Sequence, residues 1–498
     1  MKKRWLAVFG ATLALAQLLM LAGCGKKDPT DASDASSSVN STVSDDTTTS
    51  DTTGGTSEAT DTTASDTKMG PSSNSSSNTS KTSANTSNTK SPSSGGTKTW
   101  KQVLSEMPKS LRGKTIEFYT YNAMNQISGS AKAVSGFEKA TGMKVKWTAV
   151  GYSDYDLQIN TRMAADNPPD VIYLNGTVMS RMQHFQPLSN INFDFSDGAW
   201  DQQTMKDYTI KGKCYATALS PSYSLMHQPQ AMFYNKDLIS KYDLEDPYKL
   251  WKQGKWTFNK MLELVKIFKE ETGNYGWSFS GPWEYASIKG VSFGPFTYDG
   301  KTVTNSFKTK NMTVLFQQMS DWKQAGLLST TTLDEGAFVK GNMLFYTFNY
   351  GTARTNNKHC MDMKTKGSFG IVPLPAIDGQ NKYYQVMGEY EGYAIPKAAK
   401  NAEAVPYFLR YYLDKANYDQ KTFFCSSEAT EVYDWCMKQN RVMSTAMLTG
   451  QSQSGSDVEA LGYKLYSATS SAITTVIKEA EDTLDKEVKT LNELLSKF

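Results

Sequence analysis

Three short runs between Lys114 and Leu174 leave this chain little choice of fold. Lys114-Thr-Ile-Glu-Phe-Tyr-Thr120 and Met143-Lys-Val-Lys-Trp-Thr148 alternate apolar and polar residues, as half-buried strands do. After Asp170 comes the apolar run Val171-Ile-Tyr-Leu174, the pattern of a strand buried on both faces of a parallel sheet. Between them lie two helical stretches. One runs through Phe137 and closes at Thr141-Gly142; the other spans Asp156–Ala165, with Leu157, Ile159, Met163 and Ala164 apolar, and breaks at Asn167-Pro168-Pro169. Strand, helix, strand, helix, strand in so short a span predicts a parallel α/β sheet with right-handed crossovers. Further on, Ala231–Tyr234 reads as a strand. Thr257 is placed to cap a helix whose Met261, Leu262, Val265 and Phe268 share a face until Gly273. Ile473, Val476, Ile477, Ala480, Leu484, Val488, Leu491 and Leu495 mark a long last helix. No internal repeat appears.

The N-terminal end is of another kind. Lys2, Lys3 and Arg4 precede an apolar run from Trp5 to Ala22, which reads as a secretory signal rather than a membrane span. Leu21-Ala22-Gly23-Cys24 resembles the bacterial lipobox, and that resemblance implies cleavage before Cys24 and lipidation of its thiol. From Gly25 to Thr99 there is no aromatic residue, and Val39, Val43 and Met69 are the only large apolar side chains. Such a stretch cannot bury enough surface to offset its ordering entropy, so a disordered tether is expected, with a root-mean-square span of about 45–50 Å. A glycosylated stalk would do the same mechanical work. Tether and lipid together suit a cell with one membrane and a thick wall. The remainder, from about Trp100 to Phe498, exceeds one ordinary domain and predicts two lobes.

Net charge is only +3, which gives no reason to expect a nucleic-acid partner. Cys214, Cys360, Cys425 and Cys436 form no CxxC pair, and His184, His227 and His359 have no metal-ligand spacing, so neither metal nor cofactor is expected. Cys425 and Cys436 could pair in an oxidising compartment or remain buried thiols. No GxSxG, HExxH or phosphate loop is present.

Several segments, in this order, resemble extracellular solute-binding proteins of the sugar-binding type. They are Phe137-Glu-Lys-Ala-Thr-Gly-Met-Lys-Val145, Pro169-Asp-Val-Ile172, Met232-Phe-Tyr-Asn-Lys-Asp237 with Trp256-Thr257, Phe338-Val-Lys-Gly-Asn-Met-Leu344, Val372-Pro-Leu-Pro375, Glu391-Gly-Tyr-Ala-Ile-Pro-Lys397 and Phe408-Leu-Arg-Tyr-Tyr-Leu413. The set spans most of 113–498. Two departures stand out: Tyr215-Ala-Thr-Ala-Leu-Ser-Pro-Ser-Tyr223 replaces a short Tyr-x-x-Pro linker, and Phe348-Asn349-Tyr350-Gly351 replaces a tryptophan-bearing loop.

The resemblance implies a two-lobed, periplasmic-binding-protein-like class II α/β fold. It places residues 113–218 with 376–412 in one lobe and 224–371 with 418–498 in the other. Crossing segments are expected near Leu219–Ser224, Val372–Ala376 and Tyr412–Asn417. It also implies a monomeric lipoprotein on the extracytoplasmic membrane face that captures a mono- or oligosaccharide and delivers it to ABC permease subunits. In such sheets ligands sit beyond the carboxyl ends of the strands. A pyranose needs aromatic faces and hydroxyl partners. The candidates are therefore Tyr121, Asn122, Tyr152, Asp154 and Asn175 on one side, and Trp283, Glu284, Asn349, Tyr350, Glu389 and Tyr390 on the other. Two alternatives remain: a sensor or adhesin that binds without import, and a secreted glycoside hydrolase. Glu389 and Glu391 lie two apart and could share one strand face. Hydrolysis needs groups on both sides of the bond, so an enzyme is not expected.

Overall fold

The computed structural model describes residues 97–175, 183–289, 294–299, 301–308, 310–332, 334–357, 368–379, 383–389, 391–442 and 453–497. The signal, Cys24, nearly all of the tether, Cys360, His359 and Tyr390 lie outside them. Among the described residues no helix is long and apolar enough to cross a membrane, and no group of three His, Cys, Asp or Glu could hold a metal.

The early alternation produces two parallel neighbours, β1 (Thr115–Thr120) and β2 (Lys144–Ala149), in register from Thr115 against Lys144 to Thr120 against Ala149. β3 (Val171–Asn175) runs parallel along the other edge of β1. The helix Ser130–Thr141 ends where Gly142 takes φ 73° and donates its amide to Glu138 O, a conformation that glycine adopts without steric cost. The second helix, Tyr155–Ala164, departs from its expected stripe: it buries Tyr155, Asp156 and Ile159, and leaves Leu157 69% exposed. Its inward anchor is Tyr155, whose hydroxyl donates to Tyr173 O at 2.6 Å.

The later strands of the two main sheets are β4 (Ala216–Thr217), β5 (Gln228–Asn235), β6 (Trp277–Ser278), β7 (Phe345–Asn349), β8 (Phe369–Pro373), β9 (Tyr384–Glu389), β10 (Glu391–Ala394) and β11 (Asn440–Val442). They complete two separate sheets. The first has the order β2-β1-β3-β10-β4; the second has β11-β9-β5-β7-β6, with β8 also on β5. Phe118 centres the first core, meeting Trp147, Tyr393, Phe408 and Tyr412 with ring centroids 4.7–6.0 Å apart. In the second, the helix Phe258–Thr272 starts at the expected cap, Thr257, and buries Phe258, Met261, Leu264, Val265 and Phe268. Its Phe258 packs on Trp277, Tyr285 and Trp322. The last helix spans Ile473–Ser496.

The chain passes between the sheets at 217–228, at 389–391, and between the helices Val405–Tyr412 and Ser427–Cys436. The passage expected near Val372–Ala376 is not there. β8 pairs along its whole length with Ala231–Asn235, and Ala376 exchanges backbone hydrogen bonds with Trp256 and Phe258. Ala376 and β9 therefore belong with the second sheet. Pro373 and Pro375 suggest an exit from a sheet, yet β8 and then β9 both line the same edge of β5 before the chain crosses at 389–391.

Cys214, Cys425 and Cys436 are thiols, so the pairing left open for the last two is not made. β10 is crowded at Gly392, where a Cβ would lie 2.6 Å from the buried Tyr208 ring. We predict that Gly392→Ala destabilises the protein by about 1–3 kcal/mol in urea unfolding. An unchanged midpoint would mean that the ring yields freely.

Candidate functional site

The carboxyl ends of β1 and β3 face the start of β5, where the chain enters the second sheet. On the first-sheet side, Thr120 closes β1 and its hydroxyl accepts from the Asn122 amide at 3.2 Å. Trp147 Nε1 holds the Asn122 carbonyl at 3.0 Å. The Tyr121 ring stands edge-on to Tyr152, 5.2 Å away, and lies 5.6 Å from Tyr173. Tyr152 is 54% exposed and Asp154 is exposed beside it. These rings form a platform of phenols beyond the strand ends.

On the second-sheet side a polar wall rises from β5 and β7. Gln228 and Gln230 project to one face, because strand side chains alternate. Gln228 Nε2 donates to Tyr173 Oη at 3.2 Å, so one hydrogen bond spans both sheets. Gln230 Nε2 donates to Ser280 Oγ at 3.0 Å. Ser280 in turn donates its amide and its hydroxyl to Glu284 Oε2, at 2.6 and 2.7 Å, and Thr347 Oγ1 adds a third contact at 3.0 Å. Asn349 caps the following turn by accepting from the Gly351 amide at 3.0 Å. Between wall and platform is a cavity of about 20 Å³, lined among others by Thr120, Asn122, Tyr173, Gln228, Arg354 and Tyr393.

Where the chain crosses between the sheets, buried polar groups replace apolar packing. His227 and Glu391 are each 1% exposed. His227 Nε2 donates to Leu219 O at 2.7 Å, and Nδ1 lies 3.2 Å from Glu391 Oε2. Burial pushes the Glu391 carboxyl up, against the opposing pull of His227. Arg441 of β11 meets Asp201, the cap of the helix Gln202–Asp207, at 2.6 Å. Arg354 donates Nη2 to Met226 O at 2.9 Å, within the first crossing.

Of the residues expected from sequence, Tyr121, Asn122, Tyr152 and Asp154 gather on the first-sheet side. Asn175 ends β3 opposite Glu391, and Glu389 ends β9 opposite Gln228; their side chains fall outside the description. Three expectations are corrected. Trp283 packs on Phe316 and Phe307 and crowds Gly462, so it is core of the second sheet's helical layer. Tyr350 is fully buried; its hydroxyl donates to Ala429 O and its ring meets Phe424 and Tyr433. Glu284 is likewise fully buried and pins the 278–284 turn to β7, so it positions the wall without facing a solute. The sequence reading missed Tyr173, Gln228, Gln230 and Arg354. Only the glutamines left a signal: polar side chains at alternate positions entering the apolar Ala231–Tyr234 run.

Glu391, weighed with Glu389 as a carboxylate pair, is buried against His227 and has no open side from which to act on a substrate.

Residues 121–419 match the family model described as bacterial extracellular solute-binding protein. Solved structures share the fold. An ABC substrate-binding protein from Listeria monocytogenes, in complex with cycloalternan, superposes with a TM-score of 0.56 at 15% identity, over 76% of this chain and 99% of its own. The galacto-N-biose-/lacto-N-biose I-binding protein of an ABC transporter from Bifidobacterium longum gives 0.56 at 15%, over 75% and 97%. A cyclic alpha-maltosyl-1,6-maltose binding protein from Arthrobacter globiformis gives 0.56 at 14%, over 77% and 99%.

Proposed function

The chain belongs to the family of bacterial extracellular solute-binding proteins, and on that premise we propose that it captures a carbohydrate between its two sheets and hands it to an ABC importer. The observation that carries this reading is the facing of two unlike surfaces. The phenol rings of Tyr121 and Tyr152, beyond β1 and β2, can stack on the apolar face of a sugar. The polar wall of Gln228, Gln230 and Asn349 can meet its hydroxyls. A site that hydrogen-bonds hydroxyls discriminates strongly, since an analogue lacking one leaves a buried polar group unpaired. The lobes divide as 113–218 with 391–412, and 224–389 with 418–498, and closing them around the solute is a hinge motion about the three crossings. The protein works as a monomer, held on the extracytoplasmic face by a lipid on Cys24. Mass spectrometry of membrane-extracted protein should find Cys24 as the acylated first residue; an intact Met1 would contradict the anchor.

A ligand that binds only the folded state adds about 2.7 kcal/mol of stability at a hundredfold excess over Kd. Thermal unfolding with cycloalternan, lacto-N-biose and a series of malto- and xylo-oligosaccharides should therefore show a raised midpoint with at least one, and chromatography should recover that sugar intact. Hydrolysis of the sugar would favour an enzyme. No shift with any member would contradict carbohydrate capture.

A further inference from the structure

We propose that Arg354 contacts the bound solute and helps set its specificity, donating a hydrogen bond from Nε to a single ligand oxygen. The inference rests on reading the intersheet cleft as the solute site. Arg354 is 5% exposed. Its Nη2 is committed to Met226 O at 2.9 Å, and its guanidinium carbon lies 5.8 Å from the Phe423 ring centroid. Those contacts fix the plane of the fork. Nε is buried yet has no acceptor among the described residues. An unmatched buried donor costs about 1–3 kcal/mol, more when charged, and native structures rarely leave one without a reason.

The reason lies beside it. Arg354 lines the cavity of about 20 Å³ together with residues of both sheets. A space of that size takes one water-sized group, for which about 10–15 Å³ suffices. A sugar ring cannot enter, but one oxygen projecting from it can. The same loop turns the Tyr350 ring away onto the helix Ser427–Cys436, and the short turn Tyr350–Ala353 then delivers Arg354 to the floor. At this point the solute is gripped by a charged fork instead of an aromatic face. That oxygen is either a neutral hydroxyl or the carboxylate of an acidic sugar.

Calorimetric titration of the full chain separates these cases. One arm uses neutral oligosaccharides (cycloalternan, maltotetraose, xylotetraose) and the other a galacturonic acid trimer. For whichever arm binds the wild type, Arg354→Met should weaken binding by about 10- to 150-fold, the range of a hydrogen bond to a charged group. Arg354→Lys keeps the charge but loses the planar fork, so it should restore binding in the acidic arm more than in the neutral one. Thermal unfolding checks that each variant folds, and Arg354→Lys decides the matter if Arg354→Met does not. An unchanged Kd in the folded variants overturns this inference alone. A wild type that binds neither arm nor any sugar of the thermal-unfolding series overturns the carbohydrate reading, and this inference with it.

Discussion

Asp414→Ala lowers the stability of the protein by about 3–5 kcal/mol, as expected when one partner of a buried ion pair is removed. Arg410 is 1% and Asp414 5% exposed. Asp414 Oδ2 accepts a hydrogen bond from Arg410 Nη1, and Oδ1 caps the Ala416 amide at 2.9 Å. The other end of the guanidinium donates to Lys98 O at 2.8 Å. Without Asp414 the cation stays in place with no countercharge and the following turn loses its cap. Asp414 also bridges to Ser224, so the damage falls where two crossings between the sheets touch. Replacing both partners, as Arg410→Met with Asp414→Leu, should recover most of the loss, because an apolar pair of similar volume has no charge to desolvate. Urea unfolding reads both variants. A loss under about 1 kcal/mol for the single change would mean that water reaches the pair.

Glu284→Gln stabilises the protein at alkaline pH and leaves it unchanged at acid pH. Burial pushes the Glu284 carboxyl up from 4.5 to about 7, against the donors from Ser280 and Thr347. A folded-state value above the unfolded one means that the native protein holds a proton which the unfolded chain has released. Stability is therefore full below about pH 4.5 and falls as pH rises through about 7. That gap, at about 1.4 kcal/mol per pH unit, amounts to about 3 kcal/mol for this fully buried group. Glutamine accepts the same three hydrogen bonds and never ionises. The difference between variant and wild type should grow from near zero at pH 4.5 to about 3 kcal/mol at pH 8. Every other titration is common to both proteins and cancels. A difference that stays flat with pH would show that folding does not raise the Glu284 pKa.

Elements with a strong local period were legible in the sequence. β1, β2 and β3 each follow from alternation or an apolar run closed by Gly or Pro, and the helices Phe258–Thr272 and Ile473–Ser496 from their repeats. The crossing at 389–391 was not legible, because whether a strand stays on its sheet depends on the partner edge it finds. Pro373 marks a break in either case. The same limit explains the aromatic residues. Trp283 and Tyr350 carry the chemistry expected of sugar platforms, but the helices that cover them come much later in the chain. Gly462 and Ala429 turn those rings into core. Tyr121 and Tyr152 keep an open side because they follow β1 and β2 directly. Arg354 had no local signature; only tertiary structure brings it to the small cavity lined by both sheets.

Carbohydrate capture requires a solute held by both sheets at once, and a crystal structure of the protein with a saccharide identified by thermal shift tests that directly. It should show the sugar stacked near Tyr121 or Tyr152 while its hydroxyls reach Gln228, Gln230 or Arg354. A sugar lying on one sheet's outer surface, with those residues at the strand ends untouched, would contradict it.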